Sequence, residues 1–227
     1  MSETQASESI RERLEQVEER IETAARRAGR ARSEITLVAV TKKFDAAVMR
    51  EAYDVGLRKF GENYVQEFEG KYPALKDLKD AEFHLIGHLQ SNKAKVAGEL
   101  FQVIQTVDSE KLAKRLDQVG PVIEVMIEVK LSEEETKAGA SPESLAGLID
   151  GIRRCGNLRL TGLMTMPPWN LDPEVTRPYF RRLAALAREY GLAKLSMGMS
   201  HDLEAAIEEG TTHVRVGTAL FGARKKG

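Results

Sequence analysis

The chain has a single cysteine, Cys155, so no intramolecular disulfide can form, and this usage points to a reducing, cytoplasmic compartment. It has no apolar run long enough to cross a bilayer. Its polar start, residues 1–8, lacks the apolar core of a secretory signal, so neither insertion nor export is expected. Net charge is nearly absent: 34 Lys+Arg stand against 35 Asp+Glu, which leaves no field to draw in nucleic acid or anionic lipid. No Gly-x-Gly-x-x-Gly follows the first strand signal, which argues against a dinucleotide-binding sheet. Internal repeats and Pro/Gly/Ser-rich linkers are also missing, so residues 1–227 are expected to form one domain.

What is present is an alternation. Apolar residues at Ile10, Leu14, Val17, Ile21 and Ala24/Ala25 recur at the spacing of one helical face, predicting a covering helix within residues 1–30. Residues 35–44 form an apolar, β-branched run that ends in Lys42-Lys43, as a buried parallel strand with polar groups at its tip would. Further strand signals fall at 57–60, 82–86, 101–107, 122–129, 158–166, 193–197 and 213–216. Helices lie between them, opened by residues such as Asp45, either Asp108 or Ser109, and Ser141-Pro142. About eight strand-helix units with short connections predict an α/β fold, a single (β/α)8 TIM barrel. A doubly wound open sheet is the alternative, although it would usually stop at fewer strands.

Barrel chemistry gathers at the carboxyl ends of the strands. Those positions hold Lys42 and Lys43, Asn63, His84 and His88, Met164 and Met166, Ser196 and Ser200, and Arg215. An amine at such a tip is a phosphate contact, a Schiff-base nucleophile or a solvated turn. Residues 195–202 (LSMGMSHD) and 214–222 (VRVGTALFG) each read as strand, small-residue turn and helix start, a design that offers backbone N–H groups to an anion. Two such turns after strands seven and eight predict a phosphate site. If Arg215 points into the barrel, Val214 and Val216 face the helices, and the buried guanidinium needs a partner. Parity does not choose between Lys42 and Lys43, because both alternating sets on strand one are plausible.

Other candidates read more plainly. His84 and His88 lack a third ligand at metal-like spacing and are expected to be structural. The methionines can fill the barrel mouth, Cys155 has no evident base, and the acidic residues 133–135 and basic residues 224–226 read as solvated.

Six blocks in order carry a family resemblance: residues 40–42 (VTK), 60–67 (FGENYVQE), 86–93 (IGHLQSNK), 162–164 (GLM), 196–200 (SMGMS) and 215–222 (RVGTALFG). By these the chain resembles the pyridoxal-phosphate homeostasis proteins nearly end to end. The resemblance implies a barrel like the N-terminal domain of alanine racemase, with pyridoxal 5′-phosphate (PLP) as cofactor. By position it implies Lys42 as the Schiff-base lysine, Asn63 beside the pyridine ring, Ser200, Gly217 and Thr218 at the phosphate, and Arg215 at the ring nitrogen. The chain departs from the commonest family pattern at Thr41, at Lys43-Phe44 and at His201. Lys43 leaves open a second amine able to capture or pass on the aldehyde.

The resemblance further implies a monomeric carrier or buffer of PLP without robust turnover, with PLP-dependent apo-enzymes as recipients. A chain ending at its eighth strand also leaves no room for the β-domain that gives alanine racemases their second acid/base group. Two alternatives stand beside this reading. One is a PLP-dependent amino-acid racemase using Tyr64 or His88 as its second base; the other is a cofactor-free Schiff-base aldolase or isomerase acting on sugar phosphates.

Overall fold

Strands form where aliphatic and β-branched residues run together, and a closed ring of them needs no protected edge. In the computed structural model, which describes residues 8–132 and 138–222, eight parallel strands close in chain order. They are Thr36–Val40 (β1), Lys59–Glu62 (β2), Glu82–Leu85 (β3), Val103–Val107 (β4), Ile123–Glu128 (β5), Leu158–Met164 (β6), Lys194–Met199 (β7) and His213–Val216 (β8). β8 pairs back onto β1 with Thr36 opposite His213 and Val38 opposite Arg215. Helices Ala46–Asp54 (α2), Val65–Lys71 (α3), Ala94–Leu100 (α4), Glu110–Asp117 (α5), Leu145–Arg153 (α6), Arg177–Glu189 (α7), Leu203–Glu208 (α8) and Thr218–Phe221 (α9) follow the strands in turn. The fold is a (β/α)8 TIM barrel, and closure rules out the open sheet. Residues 1–7, 133–137 and 223–227, which include the acidic and basic runs read above as solvated, lie outside the described residues.

Ile10–Arg27 (α1) precedes the barrel and packs on α8 and α9. Its start is a capping box. The Glu12 N–H donates to Ser9 Oγ at 3.3 Å and the Ser9 N–H to Glu12 Oε2 at 2.8 Å, so two backbone donors left over at the helix end are satisfied. Val17, Ile21, Ala24 and Ala25 are its buried stripe. Among the described residues no helix is long and apolar enough to cross a membrane.

Two layers of apolar side chains result from strand parity. Leu37, Ala39, Val214 and Val216 belong to the continuous core between sheet and helices. Val38, Val40, Met126 and Met164 are equally buried but fall outside it, filling the barrel itself. Each fully buried aliphatic chain contributes about 1.5–3 kcal/mol of transfer free energy.

The amino-terminal end of the barrel is closed by charge. Glu124 accepts from Lys194 Nζ at 2.5 Å, Arg159 Nη2 at 2.8 Å and Thr161 Oγ at 3.0 Å. Burial works to raise this carboxyl, but those bonds hold it below its ordinary value. Glu82, bonded by His84 and beside Lys59, is held down at about 2. His213 is kept from protonating until about pH 3, first by burial and then by the neighbouring His84 and Lys194.

Both shifts act on acid stability in one direction. The unfolded chain takes up a proton at His213 near 6.5 and at Glu82 near 4.5, whereas the folded chain does so only near 3 and 2. Stability contributed by these groups is therefore present at neutral pH and lost on acidification, at about 1.4 kcal/mol per pH unit for each group inside its window. Urea unfolding followed from neutral pH downward should show the decline begin near pH 6.5, with a His213→Asn variant lacking that upper limb.

Candidate functional site

β1 decides the lysine question that spacing alone left open. Leu37 and Ala39 pack outward against the helices, so Val38, Val40 and, two residues on, Lys42 lie on the barrel side. Lys42 is partly buried and lines a cavity at the carboxyl ends of the strands. Lys43 is exposed and has φ +65°, the one non-glycine residue with positive φ among those described. This left-handed step turns the chain away just after Lys42.

A polar network fixes the turn. The Lys43 N–H donates to Glu67 Oε1 at 2.5 Å, and the Phe44 N–H to the Thr41 carbonyl at 3.0 Å. The Thr41 hydroxyl donates to Glu62 Oε1 at 2.8 Å. The Lys71 ammonium donates to that same oxygen at 3.0 Å and to the Thr41 carbonyl at 3.2 Å. Burial pushes the Glu62 carboxyl upward against the pull of Lys71 and Thr41, and its Oε2 has no partner. Lys71 also pairs with Glu67 at 2.6 Å. The strand tip that presents Lys42 is therefore held from both sides.

The cavity, of about 230 Å³, gathers all six residues implied by the resemblance: Lys42, Asn63, Ser200, Arg215, Gly217 and Thr218. Val40, Ile86, Met166 and Met199 supply apolar wall, and Trp169 and His201 complete the mouth. The Asn63 Oδ1 is buried with no hydrogen-bond partner. The Asn63 backbone is pressed by Gly87, where a Cβ would fall 2.2 Å from the Asn63 carbonyl oxygen.

Arg215 forms the floor. It is 3% exposed; Nη1 donates to Ser196 Oγ at 2.7 Å and Nη2 to the Thr165 carbonyl at 2.9 Å. Burial pulls its pKa down to about 10, opposed by the fields of Asp202 and Glu128, so it stays cationic at neutral pH.

The turns after β7 and β8 meet. The Ala219 N–H points to Ser200 Oγ at 3.4 Å, which brings that hydroxyl against the first turn of α9 beside Gly217 and Thr218. Asp202 Oδ1 accepts the Met199 N–H at 2.7 Å, and Arg20 of α1 donates to the Ser200 carbonyl at 2.9 Å while pairing with Glu204 at 2.7 Å. The covering helix thus braces the turn.

Several expectations change. His84 is buried and bonded on both nitrogens, as a structural histidine should be. His88 is not: β3 ends at Leu85, so His88 stands exposed on the rim 3.6 Å from Asp108, lining a second cavity of about 220 Å³ with Glu128 and Lys130. Neither Tyr64 nor His88 lines the cavity of Lys42. Met166 and Met199 face that cavity, whereas Met164 and Met197 are buried. The site residues that sequence reasoning missed are Trp169, Thr165 and Gln105; Ser196 stood among the strand-end positions, and His201 was noted only as a departure from the family pattern. Trp169 carried a readable signal, a lone tryptophan after two prolines at a strand end; Gln105 lies on β4 and Thr165 just past the end of β6, with no common pattern.

The family model for the alanine racemase N-terminal domain matches residues 13–225. The pyridoxal phosphate homeostasis protein of Aquifex aeolicus is 48% identical, covering 94% of this chain and 98% of that protein. That of Pseudomonas aeruginosa is 45% identical, covering 96% and 97%. Among solved structures, PipY of Synechococcus elongatus PCC7942 with PLP bound superposes with a TM-score of 0.82 at 38% identity, covering 94% of this chain and 100% of that one.

Proposed function

We propose that this chain, which belongs to the pyridoxal phosphate homeostasis protein family, binds PLP in the rim cavity of its barrel and carries or buffers the cofactor without robust turnover. One observation carries the reading. An amine, a buried guanidinium, a hydroxyl-and-amide cluster and an orphaned amide oxygen converge on one apolar-walled cavity.

That donor set suits the cofactor's three parts. PLP, when bound, supplies an aldehyde that condenses with an amine and a pyridine ring that can draw electrons. Lys42 is the amine fixed at the cavity wall by the turn behind it. Ser200, Gly217 and Thr218 offer hydroxyls and backbone N–H groups to a phosphate. Asn63 and the apolar residues flank a flat ring, and Arg215 faces its nitrogen. Because the guanidinium is itself cationic, it disfavours a proton on that nitrogen and restrains electron withdrawal.

Restrained turnover is supported by the position of Tyr64 and His88, the two second bases considered for a racemase, outside the cavity, where His201 is the one histidine in the lining. The single cysteine agrees with a reducing cytoplasmic compartment, and a monomer that hands PLP to apo-enzymes is the accompanying reading.

Trp169 gives a direct test, because it is the only tryptophan and lines the mouth at 67% exposure. Titration with PLP should quench its fluorescence as a visible absorption band grows, and Lys42→Ala should lose the band. A protein that stays colourless would favour the cofactor-free alternative. Lys42-dependent racemisation of a single-enantiomer amino acid at enzyme-like rates would contradict the carrier reading.

A further inference from the structure

Arg215 is the end of a longer chain of hydrogen bonds that runs through the barrel. Its Nη1 donates to Ser196 Oγ at 2.7 Å, and the Ser196 hydroxyl donates to Gln105 Oε1 at 2.6 Å. Gln105 Nε2 meets His84 Nδ1 at 2.9 Å, and His84 Nε2 meets Glu82 Oε1 at 2.8 Å. Lys59 then pairs with Glu82 at 3.0 Å. Ser196, Gln105 and His84 are each at most 1% exposed, so water does not compete for these bonds.

The direction of every link is forced. An arginine has donors only, so Ser196 must accept from it and has one proton left to give. That proton requires a carbonyl oxygen opposite, which sets the Gln105 amide with Oε1 toward Ser196 and its NH₂ toward His84. His84 must then accept at Nδ1 and carry its proton on Nε2, where the Glu82 carboxylate receives it. Flipping Gln105 would place donors against Ser196, whose hydroxyl has no proton acceptor in the guanidinium. The chain therefore has one arrangement while Arg215 is charged.

We infer that Gln105, fixed by His84 and acting through Ser196, is the positioning residue that sets the orientation of the Arg215 guanidinium beneath the bound cofactor. Three neighbours otherwise leave that guanidinium some freedom. The Thr165 carbonyl takes one Nη2 proton, and Asp202 and Glu128 attract it through space without a hydrogen bond. With Ser196 no longer committed to Gln105, its hydroxyl can rotate toward other acceptors, and the guanidinium can lean toward Glu128 or Asp202 and away from the ring nitrogen. The inference rests on the reading that Arg215 faces that nitrogen.

The test is a double-mutant cycle on the full chain loaded with PLP. Gln105→Met keeps the volume and removes both links. It should leave PLP attached to Lys42, as read by peptide mass spectrometry, while moving the absorption band of the bound cofactor and weakening PLP binding about tenfold, the scale of one charge-assisted hydrogen bond. Introduced into an Arg215→Leu background, the same change should move the band no further, because its effect passes through the arginine. A Gln105→Met shift that is equal in both backgrounds, or absent with PLP bound at Lys42, would overturn the inference. Loss of PLP attachment in the unmutated chain would instead sink the reading beneath it. Should Gln105→Met not fold, Ser196→Ala carries the same cycle by deleting one oxygen. Ser196→Thr, which retains the hydroxyl, is expected to restore the original band.

Discussion

Arg215→Glu should move the visible band of the bound cofactor toward its ring-protonated form and lower stability by about 3–5 kcal/mol, the usual cost of breaking a buried charged network. The spectral part follows from sign. A cation beside the pyridine nitrogen opposes a proton there, whereas a carboxylate invites one. The stability part follows from the partners. Replacing the guanidinium leaves the Thr165 carbonyl without its donor, inverts the pairing with Ser196, and sets a third carboxylate near Asp202 and Glu128. Glu128 is already pushed upward by burial, with the field of Arg215 opposing that, so its pKa should rise further in the variant. Absorption spectroscopy with denaturant unfolding checks both parts. An unchanged spectrum with PLP bound would place Arg215 away from the ring nitrogen.

Gly87→Ala should disturb the site from behind. The new Cβ would fall 2.2 Å from the Asn63 carbonyl oxygen and 2.7 Å from its Cα, and neither is the flexible end of a side chain. The β2 and β3 tips would have to separate, at the roughly 1–3 kcal/mol typical of overpacking. For a chain of this length that is a fall in melting temperature of about 2–4 °C per kcal/mol. The backbone shift moves Asn63, which lines the cavity with its Oδ1 otherwise unpartnered, so PLP affinity should fall by about tenfold or more, the equivalent of about 1.4 kcal/mol. Gly70→Ala is the control. It lies within α3 with nothing within 4 Å of the added Cβ, and should stabilise by about 0.5–1 kcal/mol with affinity unchanged. Equal effects from both substitutions would mean that the Gly87 contact does not matter.

Much of the barrel could be read in the sequence because each unit declares itself locally: a β-branched run, a capping residue, then a helical stripe. Asp45 does cap α2, Ser109 rather than Asp108 caps α5, and β8 spans His213–Val216 as the apolar pattern indicates. Boundaries shifted where glycine misleads. The second strand was expected at residues 57–60 but is Lys59–Glu62, because Gly61 sits in the ladder opposite Val40 and His84. Strand seven continues through Gly198, whose φ of +90° and nearness to Ala206 suit glycine without ending the strand. Strand one is shorter than residues 35–44 because the Thr41–Glu62–Lys71 network and the left-handed Lys43 end it.

The site was legible unevenly. Residues 200–202 and 217–219 show in the sequence the small residues and following helix start that would suit an anion. Lys42 and Lys43 could not be separated by pattern, since the choice depends on which face of β1 meets helices, a fact of three-dimensional packing. The bonds that hold Arg215 were hidden for the same reason. They join β3, β4, β7 and β8, residues up to 91 apart, and no local periodicity records such a meeting.

The central claim is that Lys42 is the covalent anchor of PLP. Borohydride reduction of the PLP-loaded chain, followed by fragmentation of the peptide that contains both lysines, tests it most directly. The account predicts a pyridoxyl group on Lys42; finding it on Lys43 alone, or on no lysine, would contradict it.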